Sequence, residues 1–109
     1  MIYLSSKMSG LPDFGDAAFK EEARRLKGEG KKPFIPQVRP GIAWVTCIRD
    51  DLFSLMQCST IHMFGPWYRS HGALIELIAA HRMGLKVEIA QPIFKPLEWI
   101  LNFRRKQYA

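Results

Sequence analysis

Residues 59–76 read STIHMFGPWYRSHGALIE, an apolar β-prone run followed by a loop and the start of a helical pattern. The run 60–64 predicts a buried strand, Gly65 ends it, and Ser70 is a typical helix N-cap. A strand that feeds a helix in this way places Glu76 in the first helical turns, at the carboxyl edge of a sheet. Open α/β folds bind ligands at that edge, so Glu76 is a candidate nucleophile. A surface glutamate near a helix start is the simpler alternative.

Strands and helices alternate along the rest of the chain. This alternation predicts a three-layer α/β fold, a doubly wound parallel sheet of four to five strands that is flavodoxin- or Rossmann-like. We expect the strand order 2-1-3-4, which opens a ligand crevice between strands 1 and 3, lined by loops 5–14 and 65–72. The predicted strands are 2–6, 32–37, 60–64 and 85–90, and the prolines of 32–37 make it an edge strand. Of the four predicted helices, two begin at the caps Asp16 and Thr46, and the other two span 70–83 and 96–107.

The length of 109 residues predicts one small domain over residues 1–109. No apolar run approaches the roughly 20 residues of a membrane span, and we expect neither a secretion signal nor a membrane partner. Cys47 and Cys58 lie on one predicted helix about 16 Å apart, too far to bridge. Two free thiols fit a reducing cytoplasm.

The net charge of +6 suits a phosphorylated ligand or nucleic acid, although a solvated basic surface is the simpler interpretation. No nucleic-acid-binding motif accompanies the charge, so nucleic acid is disfavoured as a partner. The three histidines show no metal-site spacing, and the chain has neither GxGxxG nor a P-loop. We therefore expect no metal and no cofactor.

Other residues near the predicted crevice also have two interpretations. Ser70 and the backbone amides of Gly72 and Ala73 offer donors for a phosphate or sugar hydroxyl, or form a simple helix cap. Asp51 flanks the apolar stripe of its helix and can meet Glu76 across the crevice, where paired carboxylates act as nucleophile and proton donor; a solvated aspartate is the alternative.

Two aromatic residues complete this set. Trp67 follows a strand-ending Gly-Pro, so we expect it to be exposed at the site and able to stack on a nucleobase. Tyr3 lies in the first strand, where a core position is the more common one.

Two runs near the N-terminus, IYLS at 2–5 and MSGLPDF at 8–14, resemble the opening of a small bacterial and phage family of nucleoside 2-deoxyribosyltransferase-like proteins, the domain of unknown function 4406. That opening typically reads YLSGPMTGLPDF. The similarity extends over roughly residues 1–90. It includes RDDL at 49–52, Cys58, Trp67, and the set Ser70, Gly72, Ala73 and Glu76.

The resemblance implies a function. The wider superfamily contains nucleoside deoxyribosyltransferases and deoxynucleotide N-hydrolases, in which a glutamate of a Ser-x-Gly-x-x-x-Glu segment attacks the anomeric carbon. This implies Glu76 as nucleophile, Asp51 as the assisting aspartate and Tyr3 as the active-site tyrosine. It also implies that Ser70 and Gly72 bind sugar or phosphate. We further expect a homo-oligomer, a dimer or larger, in the cytoplasm of a bacterium or of a phage host.

Two positions depart from the family pattern. Ser6-Lys7 replaces Gly-Pro after the first strand, and Cys58-Ser59 replaces Cys-Asp. Lys7 can grip a phosphate, which favours a nucleotide over a nucleoside, and we place Ser6, Lys7 and Gly10 at the ligand. Losing the aspartate argues against turnover.

Three hypotheses follow. The first is an enzyme that cleaves an N-glycosidic bond of a deoxynucleoside or its monophosphate, supported by Glu76 and Asp51. The second is a nucleotide-binding protein of the same fold that has lost turnover, supported by the departures at residues 6–7 and 59. The third is a basic phage factor that binds a host component, supported by the basic run 104–106.

Overall fold

The computed structural model describes residues 1–37 and 39–90. It contains one parallel four-stranded sheet of order β2-β1-β3-β4, with helices on both faces. The predicted α/β fold class and strand order are thus confirmed. The strands are β1 (Ile2–Ser5), β2 (Pro33–Phe34), β3 (Thr60–Met63) and β4 (Lys86–Ile89), and the helices are α1 (Asp16–Gly28), α2 (Trp44–Met56) and α3 (His71–Arg82).

The two central strands are the most buried part of the sheet. β1 and β3 pair in parallel from Ile2 opposite Thr60 to Ser5 opposite Met63. Parallel strands covered on both faces are buried throughout, and here the buried positions include three polar side chains, Ser5, Thr60 and His62. The edge strand β2 has only two residues, shorter than predicted, since prolines cannot donate to a strand ladder.

Alternation along β1 divides the core into two halves. Tyr3 points to the face covered by α2 and α3, whereas Leu4 points to the face covered by α1. Ser5 then shares a face with Tyr3, because side chains two residues apart on a strand lie on the same side. This places two hydroxyl groups under the helix that carries Glu76.

Several predicted boundaries shift. Helix α2 begins at Trp44 without a side-chain cap, so Thr46 is its third residue and not its cap. Gly15, with a positive φ of 77°, precedes α1 and makes Asp16 the first helical residue. Cys58 lies beyond the end of α2, and both thiols are free. The predicted helix 96–107 and the basic run 104–106 lie outside the described residues.

The basic residues of α1 are largely neutralised by acidic neighbours on the same helix. Such exposed pairs contribute little stability, but they leave no continuous basic stripe on this helix. The simpler interpretation of this charge, a solvated surface, fits best. The pairs include Lys20–Asp16 at 2.9 Å, Arg24–Glu21 at 2.6 Å and Arg25–Glu22 at 2.8 Å.

No helix within the described part of the chain is long and apolar enough to cross a membrane.

Candidate active site

A cavity of about 570 Å³ opens beyond the carboxyl ends of β1 and β3. This is the switch point where strand order reverses, the expected ligand position of an open α/β sheet. Three segments line it: the loop after β1, the N-terminal half of α2 with the residues before it, and the start of α3. The first and third correspond to predicted crevice loops. Asp51 of α2 was expected to face the crevice, whereas the wall formed by residues 39–42 and the start of α2 was not predicted.

Glu76 lies at the floor of this cavity and is 5% exposed. Its Oε1 accepts a hydrogen bond from the Ser5 hydroxyl at 2.8 Å, and its Oε2 accepts one from the Tyr3 hydroxyl. Both donors come from the same face of β1. Two hydroxyl donors on two carboxylate oxygens fix the carboxylate in one orientation.

Burial dominates the electrostatics of the floor. It raises the pKa of Glu76 to about 7, against the opposing effect of the Tyr3 and Ser5 hydrogen bonds. Burial and the nearby Glu76 charge raise the pKa of Tyr3, so its hydroxyl stays protonated and acts as a donor.

Asp51 lines the same cavity from helix α2. Burial raises its pKa to about 6, although the Arg39 guanidinium opposes this shift. The charge of Asp51 also contributes to the raised pKa of Glu76. Two carboxyl groups with raised pKa values in one cleft are the pattern expected of acid–base and nucleophilic catalysis.

The start of α3 forms another wall. Ser70 caps the helix by accepting a hydrogen bond from the Ala73 amide at 3.1 Å. The Ala73 amide, predicted as a ligand donor, is therefore already engaged. At Gly72 a Cβ atom would lie 3.3 Å from the Ile48 Cδ1, so glycine there permits close approach of α3 to α2.

Cationic side chains ring the cavity. Lys7, Arg39 and Arg69 all line it, and Arg39 also pairs with Asp50. Ser6 lines the cavity beside Lys7. The loop after β1 thus supplies both a hydroxyl and a cation to the ligand space.

Two residues predicted as ligand contacts do not line the cavity, and the expected exposure of Trp67 is wrong. Trp67 is 1% exposed, packs in the core with Tyr3, and does not line the cavity. A short 3₁₀ helix, Trp67–Arg69, turns the indole inward, where its N–H has no partner among the described residues. Gly10 sits in a turn with φ of 80° and also lies off the cavity wall.

Sequence analysis did not single out Ser5, Arg39 or Trp44 as site residues, although Ser5 lies at the start of a predicted crevice loop. Ser5 follows Tyr3 by two positions in a strand, which is a signal for a shared face. Trp44 precedes Asp51 by seven positions in a helix, the spacing of two turns on one side. Arg39 lies in a connection without periodicity, so no pattern indicated it.

The two departures from the family pattern fall in different places. Ser6 and Lys7 line the cavity and so affect ligand binding. Ser59 lies at the amino end of β3, where its amide donates to the Met1 carbonyl at 3.0 Å. Because Ser59 is not part of the cavity wall, the missing aspartate does not remove a group from this site.

Within residues 1–37 and 39–90, no cluster of three or more His, Cys, Asp or Glu side chains is arranged to hold a metal ion.

Comparison with known proteins identifies a matching family and a similar solved structure. The family model described as "Domain of unknown function (DUF4406)" matches residues 1–89. The fold is similar to that of a 2-desoxiribosyltransferase from Leishmania mexicana, with a TM-score of 0.67 and 22% identity. The match covers 81% of this chain but 61% of that chain, so this chain spans less than two thirds of the relative. No curated protein matches. Because the family model spans most of the sequence, the chain belongs to the DUF4406 family.

Proposed function

We propose that this protein cleaves the N-glycosidic bond of a 2′-deoxynucleoside or its 5′-monophosphate, with Glu76 as the nucleophile. One observation carries the proposal: a buried carboxylate, held by two hydroxyls, shares a cavity with a second carboxyl group. A purely structural glutamate would not need an open cavity in front of it. The fold is also similar to that of a 2-desoxiribosyltransferase, which supports the proposal.

The proposed chemistry has two steps. The Glu76 carboxylate attacks C1′ of the sugar and forms a glycosyl ester, while the C1′–N bond breaks and its electron pair leaves with the base. Asp51 donates a proton to the departing base. In a hydrolase, water then attacks C1′ and releases the Glu76 carboxylate. In a transferase, a second nucleobase attacks C1′ instead. In both cases Asp51 takes up the proton that the attacking group loses.

The direct test is incubation with a panel of deoxynucleosides and their monophosphates, followed by chromatography for free base. Adding a second, labelled base separates transfer from hydrolysis. Release of no base from any member would contradict the proposed activity.

The pH profile provides a second test. The proposed mechanism needs Glu76 ionised and Asp51 protonated, and burial holds their pKa values at about 7 and about 6. Because the required state has the group of higher pKa ionised and the group of lower pKa protonated, it is a minor fraction of the protein at every pH. We expect a bell-shaped kcat/KM with a maximum at about pH 6.5, because Glu76 loses its remaining charge on the acid side and Asp51 loses its remaining proton on the alkaline side. Asp51→Asn should lower the rate and remove the alkaline limb. A wild-type profile that is flat from pH 5 to 9 would rule out this pair.

We also propose that the substrate carries a 5′-phosphate. Lys7, Arg39 and Arg69 line the cavity beside the N-terminus of α3, and cations at a helix N-terminus favour an anionic group. The monophosphate should therefore bind more tightly than the nucleoside, with an affinity that falls as salt rises.

Lys7→Ala should reduce the difference in binding free energy between the monophosphate and the nucleoside by roughly 1.5 to 3 kcal/mol, the range for a hydrogen bond to a charged group. Calorimetry of both ligands measures it. Lys27→Ala is the matched control, because Lys27 lies on α1 and off the cavity wall. If the wild type binds nucleoside and monophosphate with equal affinity, Lys7 is a solvated cation that does not bind the phosphate.

The proposal includes a homo-oligomer. Helices α2 and α3 pack together, and the apolar side chains that they expose include Phe53, Met56, Ile75 and Ile78. Exposed apolar groups on two adjacent helices are typical of a surface that a partner covers. The proposed setting is a reducing cytoplasm, in which Cys47 and Cys58 stay free.

A binding protein without turnover is the second candidate function. The cationic substitution at Lys7, inside the cavity, favours it because it strengthens nucleotide binding without adding a catalytic group. Tight monophosphate binding without base release would select this candidate.

A further inference from the structure

Two exposed aromatic side chains, Phe14 and Trp44, line the cavity, and Trp44 is the larger and the more exposed of the two. It is 50% exposed and opens helix α2. Cys47, Ile48 and Asp51 follow it at spacings of three, four and seven residues and line the same cavity. One face of α2 therefore carries the indole at one end and the proposed proton donor at the other.

The distance along this face suits a nucleoside. Seven residues of helix span about 10 Å along the axis between Trp44 and Asp51. In the proposed reaction the sugar C1′ lies at Glu76 and the base leaves towards Asp51. The departing base therefore extends along α2, and the α2 face beyond Asp51 ends at the indole.

We propose that Trp44 is the platform on which the base of the ligand stacks. The proposal rests on the proposed function in that the ligand carries a nucleobase, but it does not require turnover. An indole stacks on any base, because every base has a π-face. Trp67, the tryptophan expected to take this role from the sequence, is buried away from the cavity.

The test compares two ligands that differ only in the base. 2′-Deoxyadenosine 5′-monophosphate carries it, and 2-deoxyribose 5-phosphate lacks it. In a Glu76→Gln background, which prevents cleavage, Trp44→Ala should weaken binding of the nucleotide roughly 5- to 150-fold and leave the sugar phosphate unchanged. The nucleotide affinity of Trp44→Phe, which keeps a smaller ring, should lie between the affinities of the parent and of Trp44→Ala.

Val45→Ala is the matched control. Val45 is exposed on the same turn of α2 but does not line the cavity. It should leave both dissociation constants unchanged. A second readout is tryptophan emission in a Trp99→Phe background, where Trp44 and the buried Trp67 are the remaining tryptophans of the three in the sequence. The nucleotide should change this emission in the parent and not in the Trp44→Phe variant.

The outcomes separate this proposal from the proposed chemistry. A wild-type protein that releases no base, but whose nucleotide binding depends on Trp44, would refute the chemistry and support the platform. A protein that releases base, with nucleotide affinity and KM unaffected by Trp44→Ala, would refute the platform alone. Three further results would overturn the platform. The first is that Trp44→Ala weakens binding of both ligands equally, and the second is that Phe14→Ala weakens nucleotide binding more than Trp44→Ala does. The third is that the nucleotide does not bind.

Discussion

Glu76→Gln should abolish release of base from deoxynucleosides and their monophosphates. The amide keeps the shape of the side chain, and the Tyr3 and Ser5 hydroxyls can rotate to bond it. It carries no charge to attack C1′, and loss of a nucleophile typically lowers kcat by about three orders of magnitude or more. Rates measured by chromatography of the released base, with the nucleotide in excess, give the effect on kcat.

The matched control is Glu21→Gln. Glu21 is exposed on α1 and does not line the cavity, so the same chemical change there should leave kcat intact. Circular dichroism and retained nucleotide affinity would show that the Glu76 variant is folded. Retention of more than about a tenth of wild-type turnover would exclude Glu76 as nucleophile, because that deficit is only about 1.4 kcal/mol.

The region from β3 to α3 was predictable because its local signals agree. The apolar run, the glycine that follows it, and a serine cap all indicate the same strand–loop–helix unit. Ser70 caps α3 and Glu76 points into the cavity floor as this unit implies. The strand order also follows from alternation, since right-handed crossovers leave few arrangements.

The boundaries of α2 were less predictable. The helix begins at Trp44 without a side-chain cap, so the sequence carries no start signal there. Thr46 resembles a cap but lies within the first turn. This error hid Trp44, because a residue taken as loop has no helical neighbours to share a face with.

Trp67 shows a different limit. A Gly-Pro turn indicates that a strand ends, but not where the next side chain points. The three-residue 3₁₀ helix rotates Trp67 towards the Tyr3 side of the core, where burial of a large aromatic contributes stability. The direction of a side chain in an irregular loop depends on tertiary packing, which local sequence patterns do not encode.

The contact between Tyr3 and Glu76 joins residues 73 positions apart. Periodicity alone assigns Tyr3 to the core, and only the family resemblance indicated an active-site role. The structure reconciles both, because the ring is buried while its hydroxyl reaches the carboxylate at the cavity floor.

Glu76→Gln should also stabilise the protein at neutral to alkaline pH. Burial raises the pKa of Glu76 from 4.5 to about 7, so the folded state holds its proton more tightly than the unfolded chain. Above pH 7 the carboxylate is ionised in both states, and burying its charge opposes folding by about 3 kcal/mol. Glutamine removes this penalty, since its neutral amide can bond the same two hydroxyls.

The pH dependence of this effect tests its cause. As pH falls through about 7 towards 4.5, the folded wild type takes up a proton and regains the stability that it lacks at higher pH. The advantage of Glu76→Gln, measured by urea unfolding at fixed protein concentration, should therefore be largest at pH 8 and shrink towards pH 4.5. Asp51→Asn should act in the same direction, because burial also raises the pKa of Asp51. A Glu76→Gln variant less stable than the wild type at pH 8 would mean that the two hydroxyls stabilise the ionised carboxylate more than burial disfavours it. An ionised nucleophile in a buried floor is a typical stability–activity conflict, in which the catalytic charge lowers the stability of the fold that positions it.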